Sequence, residues 1–268
     1  DHNMIQADHK NADDHNFILD MTSKLGIITA RSGSGICHAL HLEYFAAPGK
    51  VLIGGDSHTV AAGGIGSLAI GVGGFDNAMA IAGQPFYFTM PKIVRINLTG
   101  KLQPFVSAKN IILELLRIVG VKGGVGKIFE YGGDGVKTLN VSERSTIANM
   151  GAETGATTSI FPSDENTRLW LKAFDREKHY IPLDADPDAN YDEVIEINLD
   201  KLEPLIALPS LPDNVVKVTE VEGTKIDQVM IGSCTNASLQ DILSVANILD
   251  GEIVSRDVEL GVYPATRT

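Results

Sequence analysis

The chain has 268 residues, of which 44% are hydrophobic and 21% are charged, so it is long enough to bury a sizeable core. Its formal net charge of -12 disfavours a nucleic-acid-binding protein, because such a protein needs a basic face. The sequence has no run of about 20 apolar residues to cross a membrane, and its start lacks the pattern of a signal peptide. We therefore expect a protein of the cytoplasm, or of the mitochondrial matrix, that acts on a small molecule.

The only two cysteines, Cys37 and Cys234, are far apart and too few for a disulfide framework. They indicate a reducing compartment. The chain opens at Asp1 without a methionine and stops at Thr268, where another strand-and-turn unit would begin. We expect a piece of a longer polypeptide, truncated at both ends.

Short β-branched runs alternate with helical patterns along the chain, which is typical of layered α/β folds with mostly parallel strands. A strand is predicted at 50–54, directly before the polar turn GDSHT, and open α/β sheets bind their ligands beyond the carboxyl ends of strands. Further elements are predicted along the chain: a helix at 75–82, a strand at 92–98, a helix at 108–119, an acidic loop at 182–192, a linker at 208–213, a strand at 228–231 and a helix at 239–249. They predict α/β subdomains at 1–93, 94–208 and 209–268, of which the first and third are incomplete.

The turn GDSHT places the carboxylate of Asp56, the hydroxyl of Ser57 and the imidazole of His58 side by side. These groups suit proton transfer and the binding of an oxygen-rich substrate. The alternative is a purely structural turn, in which the side chains bond to their own backbone.

Two histidines in GICHALHLEYF, His38 and His41, are three residues apart, so a helix would present both on one face. With Glu43 and Cys37 nearby, a zinc site is one interpretation. The strong zinc patterns are absent from the sequence, and the favoured alternative is one histidine in a cleft and the other packed.

Cys234 stands in IGSCTN between a predicted strand and a predicted helix, where nearby backbone donors favour a thiolate. A small buried apolar residue is the alternative role for any free cysteine, and we prefer that role for Cys37. Asn149 and Glu153 are four residues apart and would share a helix face, either as site residues or as a solvated pair.

The sequence 64–69 formally matches a dinucleotide-binding fingerprint, which makes a nucleotide-dependent oxidoreductase an alternative hypothesis. The motif does not directly follow its strand, and no acidic residue is clearly placed about 20 residues further on. We therefore interpret it as a chance match.

The ordered motifs GSGICH, GDSHT, NMGAETGATTSIFPSD and IGSCTN, together with the opening Asp-His, resemble the aconitase superfamily and most closely the aconitate hydratases. The resemblance implies an aconitase-type iron-sulfur domain of layered α/β subdomains. It also implies a [4Fe-4S] cluster in the full-length protein, whose open iron acts as a Lewis acid on a small tricarboxylic acid.

Carried over position by position, the resemblance implies that Cys234 is the first of three thiolate ligands, with Asn236 near the cluster. The implied carboxylate-imidazole pairs are Asp1 with His2, Asp56 with His38, and Glu153 with His58. Ser57, Asn149 and Asp56 are the implied substrate contacts.

The same resemblance places the other two cluster cysteines and a swivelling domain beyond Thr268, in a missing C-terminal part of the same chain. The fragment alone is then expected to be inactive, with the cluster absent or incomplete. The expected activity of the full-length protein is the interconversion of citrate and isocitrate through cis-aconitate. One alternative is the large subunit of a 3-isopropylmalate or homoaconitate isomerase. Another is an RNA-binding regulator, which the acidic net charge disfavours.

Overall fold

The structure, a computed structural model, describes residues 5–267. They form two compact units, one made of residues up to His41 and from Asp227 onward, the other of Leu42–Ile226. Among the described residues, no helix is both long enough and apolar enough to cross a membrane.

The described elements alternate between helices and strands. The helices are α1 (His9–Leu25), α2 (Cys37–Tyr44), α3 (Gly74–Ile81), α4 (Ala108–Val119), α5 (Val141–Gly151), α6 (Glu165–Ala173) and α7 (Leu239–Leu249). The strands are β1 (Val51–Gly54), β2 (Leu68–Gly71), β3 (Lys92–Thr99), β4 (Lys127–Gly132), β5 (Thr158–Ile160), β6 (Glu193–Asn198), β7 (Leu205–Ala207), β8 (Val215–Lys217), β9 (Gln228–Ile231) and β10 (Glu259–Val262).

The larger unit is built on a four-stranded parallel sheet in the order β5-β4-β3-β6. Alternate residues of β3 point into the core, as the period of a strand requires, and α4 presents its apolar stripe to the same core. The buried cluster includes Val94, Ile96, Leu98, Ile111, Leu115, Phe129 and Ile147. The central sheet thus has one face sealed by helices.

A second, parallel pair of strands, β1 and β2, carries the predicted site turn at the end of β1. Within the larger unit this pair of strands lies beside β5. The Thr158 hydroxyl of β5 donates a 2.5 Å hydrogen bond to the Ala69 carbonyl of β2. With β9 and β10 also parallel, and with β7–β8 the one antiparallel strand pair among the described residues, the predicted α/β class with mostly parallel sheets is confirmed.

The segment predicted as a linker at 208–213 is instead the loop of the β7–β8 hairpin. Leu208 N–H donates to the Asn214 carbonyl at 2.8 Å, and the Asn214 amide donates to the Pro209 carbonyl at 3.1 Å. Prolines mark hairpin loops as readily as linkers, because they fix φ and remove a donor in both.

The smaller unit contains α1, the first part of α2, β9, α7 and β10. α7 runs between the parallel strands β9 and β10, and Ser238 begins it with a capping box to Asp241. The predicted elements at 108–119, 228–231 and 239–249 match α4, β9 and α7 in both bounds.

The boundaries predicted after positions 93 and 208 both fall inside the larger unit, the first of them within β3. The described residues form two units, and the three subdomains remain a prediction.

Candidate active site

The turn GDSHT lies at the carboxyl end of β1 and begins a buried 3₁₀-helix, Ser57–Ile65. Asp56 is the N-cap of this helix in extended conformation, and its Oδ1 accepts a 2.8 Å hydrogen bond from His58 N–H. The cap satisfies a helix donor that would otherwise have no partner. The strand and the cap together place Asp56, Ser57 and His58 beyond the carboxyl end of β1.

Glu153 reaches the same place from the end of α5. A 3₁₀ turn, Ala152–Thr154, follows α5 and stops at Gly155, which has a left-handed φ of 78°. Asn149 lies one turn earlier in α5 and is buried. The predicted neighbours Asn149 and Glu153 therefore both stand at the carboxyl end of one helix.

His58 lies between two carboxylates. Its Nε2 is 3.3 Å from Glu153 Oε1, and its Nδ1 is 3.5 Å from Asp56 Oδ1 and 3.4 Å from Ser57 Oγ. The imidazole side chain is 25% exposed and the carboxylates 40% and 42%, so the group opens to solvent. Carboxylates at both ring nitrogens fix the orientation of the ring and accept a proton at either end.

Close backbone packing holds this group together. Ser145 of α5 donates a 2.7 Å hydrogen bond from its hydroxyl to the Ala61 carbonyl of the Ser57–Ile65 helix. Next to it, a Cβ added at Gly64 would lie 2.5 Å from Ser145 N, a distance that side chains do not allow. Gly64 thus has a packing role, which gives the glycines of the apparent dinucleotide motif a structural reason.

His38 lies in α2 and belongs to the smaller unit, with its Nδ1 3.7 Å from the Cys37 sulfur. Its predicted partner Asp56 belongs to the larger unit. The pairing of these two residues stays a prediction. Asp1 and His2 lie outside the described residues, and the pairing predicted for them is a prediction as well.

Cys234 lies in the turn between β9 and α7, as the sequence predicts, and is partly exposed. Ser233 before it has a left-handed φ of 71°, unusual for a residue other than glycine. Asn236 donates to Asp241 at 3.4 Å, and its buried Oδ1 has no hydrogen-bond partner among the described residues. The turn therefore presents a thiol and an amide oxygen.

The cysteines of this chain suit only part of the thiolate ligand set of an iron-sulfur cluster. Such clusters are held by several cysteine thiolates, and the chain contains Cys234 and Cys37 only. Cys37 is the neighbour of His38 inside α2. The residues of this chain alone do not complete a cluster site.

The sequence did not single out the residues that support the site. Ser145 and Thr59 each donate a hydroxyl hydrogen bond to a backbone carbonyl. Neither residue departs from its local sequence pattern in a way that indicates a supporting role.

Comparison with known proteins gives consistent matches along the whole chain. A model of the aconitase family (aconitate hydratase) matches residues 1–224 and 217–268. The 3-isopropylmalate dehydratase large subunit 2 of Archaeoglobus fulgidus is 41% identical over 96% of this chain and 62% of that protein. The 3-isopropylmalate dehydratase large subunit 1 of Thermotoga maritima is 44% identical over 91% of this chain and 59% of that protein.

The mitochondrial aconitate hydratase of Saccharomyces cerevisiae is 44% identical over 89% of this chain and 33% of that protein. The chain thus spans less than two thirds of the length of each of these relatives. The family model nevertheless covers the chain from end to end, so the resemblance seen in the motifs is confirmed: this chain belongs to the aconitase family.

Proposed function

We propose that the protein containing this chain is a hydro-lyase that removes water from a hydroxy-polycarboxylic acid and adds it back to give an isomer. The observation that carries the proposal is His58, held between the carboxylates of Asp56 and Glu153 beyond the end of β1. An imidazole oriented in this way is suited to move the protons that water elimination requires. Family membership supports the same reaction class.

In this proposal the described side chains carry out proton transfer and substrate binding. His58 exchanges a proton through Nε2 with Glu153, while Asp56 fixes the ring through Nδ1. Ser57 and Asn149 contact the oxygen atoms of the substrate. The pairs of Asp1 with His2 and of Asp56 with His38 are proposed as further proton carriers.

We further propose that Cys234 is one thiolate ligand of a [4Fe-4S] cluster in the complete protein, with Asn236 beside it. When bound, the cluster would supply a Lewis-acidic iron that makes hydroxide a better leaving group. The partly exposed thiol of Cys234 in a turn before α7 fits the role of a ligand.

For the substrate we propose citrate and isocitrate, interconverted through cis-aconitate, since the motifs resemble aconitate hydratases most closely. A second candidate is 3-isopropylmalate, because two of the relatives described above are named as large subunits of 3-isopropylmalate dehydratase. Identity does not separate the two, being 44% to a relative of each kind.

The test uses the intact protein that contains this chain, with its cluster rebuilt under anaerobic conditions. Water elimination from citrate is compared with that from 3-isopropylmalate, and Cys234→Ser is the control that removes the proposed ligand. Iron-dependent turnover of citrate supports the first proposal, and turnover of 3-isopropylmalate alone replaces it by the second. Turnover of neither acid by cluster-loaded protein contradicts the proposed function.

A further inference from the structure

Thr59 is the last residue of the GDSHT turn and the first residue of it that is buried. Its hydroxyl donates a 2.7 Å hydrogen bond to the carbonyl of Asp56, and its backbone N–H donates to the same oxygen at 3.1 Å. One backbone carbonyl thus receives two hydrogen bonds from a single residue. These two hydrogen bonds close the turn around Ser57 and His58.

The Thr59 side chain is also packed directly on the end of β1. A Cβ added at Gly54 would lie 2.3 Å from Thr59 Oγ1 and 2.9 Å from its Cγ2. Gly54 is therefore the residue that makes room for Thr59. Strand, threonine and turn form one close-packed group, and the strand itself is held in register by β2.

The geometry of this group decides where the two site side chains point. Asp56 uses Oδ1 to cap His58 N–H at 2.8 Å and to approach His58 Nδ1 at 3.5 Å, so a rotation of the Asp56 peptide would break both contacts. The same rotation would move His58 Nε2 from its place 3.3 Å from Glu153. Displacements of about 1 Å at reacting groups cost up to about 100-fold in rate.

We infer that Thr59 is a positioning residue, whose hydroxyl holds Asp56 and His58 in the orientation that His58 needs to reach Glu153. Its hydroxyl donates to the Asp56 carbonyl, and it acts through that carbonyl. The kinetic part of this inference rests on the proposed function. The orientation of His58 is measurable without turnover.

The experiment replaces Thr59 by valine in the intact protein, which removes the hydroxyl and keeps the branched shape. We expect kcat to fall about tenfold with KM little changed, because substrate contacts remain while proton transfer is misaligned. Thr59→Ser restores the hydroxyl and is expected to return kcat to within about twofold of the wild type. If Thr59 only stabilised the fold, Thr59→Ser would not have a higher kcat than Thr59→Val when the two variants are equally stable.

The matched control is Thr138→Val. Thr138 makes the same kind of bond, from its hydroxyl to the carbonyl three residues earlier, also at 2.7 Å, in a 3₁₀-helix that carries no proposed site residue. This variant is expected to keep the kcat of the wild type. If Thr59→Val does not fold, Thr59→Ala is compared with Thr138→Ala in the same way.

The second readout is the 15N signal of the His58 ring in histidine-labelled protein, assigned with a His58→Gln variant. A change of the ring-nitrogen shifts in Thr59→Val, absent in Thr59→Ser and Thr138→Val, supports the inference even if neither acid is turned over. Unchanged His58 signals in folded Thr59→Val overturn it. A loss of kcat that Thr59→Ser fails to restore also overturns it.

Discussion

His58 Nε2 and Glu153 Oε1 lie 3.3 Å apart, although 95 residues separate them in the sequence. The first stands at the start of the Ser57–Ile65 helix and the second just beyond the end of α5. These two helices pack backbone to backbone at Gly64 and Ser145. Helix packing therefore brings the imidazole and the carboxylate to the same place from distant parts of the chain.

Replacement of Glu153 by glutamine tests the imidazole-carboxylate pair. The variant keeps the shape of the side chain and removes its charge and its ability to take up a proton. We expect kcat for water elimination to fall by about 10- to 100-fold, the usual effect of losing a carboxylate partner of a site histidine. The measurement is steady-state turnover by the cluster-loaded intact protein.

Its control is Glu203→Gln, since Glu203 pairs with Lys217 at 2.8 Å and both side chains are about half exposed. That change is expected to leave kcat as it is. Equal rates for Glu153→Gln and the wild type would remove Glu153 from the proton-transfer scheme.

Substitution of Gly64 by alanine tests the close contact between the two helices. The added methyl would lie 2.5 Å from Ser145 N and 2.7 Å from Ser145 Cα, both backbone atoms. We expect the free energy of unfolding to fall by about 3 kcal/mol, because overpacking forces the backbones apart. Urea denaturation followed by circular dichroism measures the loss.

Gly74→Ala is the matched change, because nothing lies within 4 Å of the added Cβ at the start of α3. There we expect equal stability, or a gain of up to about 1 kcal/mol from the better helix propensity of alanine. Similar effects at the two positions would argue against a tight helix contact at Gly64.

Replacement of Arg144 by methionine tests a buried ion pair. The Arg144 side chain is 0% exposed; its terminal nitrogens lie 2.9 and 2.6 Å from the two oxygens of Asp164, and they also donate to the carbonyls of Pro162 and Val136. Removing Arg144 leaves the Asp164 carboxylate without its ion-pair partner and the Pro162 carbonyl without this donor, so we expect a loss of about 3 kcal/mol in urea denaturation. Lys137→Met, which breaks an exposed pair with Asp134, is expected to change stability far less.

The high-pH stability of the protein is expected to depend on Tyr191. Burial, and then a 2.6 Å hydrogen bond to Glu130, raise the pKa of Tyr191 from 10.0 to about 12. The folded state therefore holds this proton more tightly than the unfolded state, so the contribution to stability is complete below pH 10.0 and is lost as pH rises toward 12. Tyrosinate absorbance and urea midpoints across this range measure the effect.

Tyr191→Phe removes the ionisable group and should flatten the decline of stability over the same pH range. If the decline is unchanged in this variant, another group is responsible for it.

Local features of this protein followed from the sequence, because they depend on neighbours along the chain. The apolar period of Ala108–Val119 predicted α4, and the helix predicted at 239–249 is α7. GDSHT was predicted to follow a strand, and it does. Helix periods and caps are formed by residues within about four positions of one another, so the sequence displays them directly.

Other features were decided only when distant segments packed together. The sequence does not show that β6 joins the far side of β3, or that 208–213 closes a hairpin instead of linking two subdomains. Nor does local pattern reveal that Thr59 fits over Gly54, or that Arg144 is buried against Asp164. The sequence by itself determined which residues have the chemistry of the site, whereas the place of His58 beside Glu153 was decided by the tertiary structure, because close packing depends on the shapes of surfaces that meet only after folding.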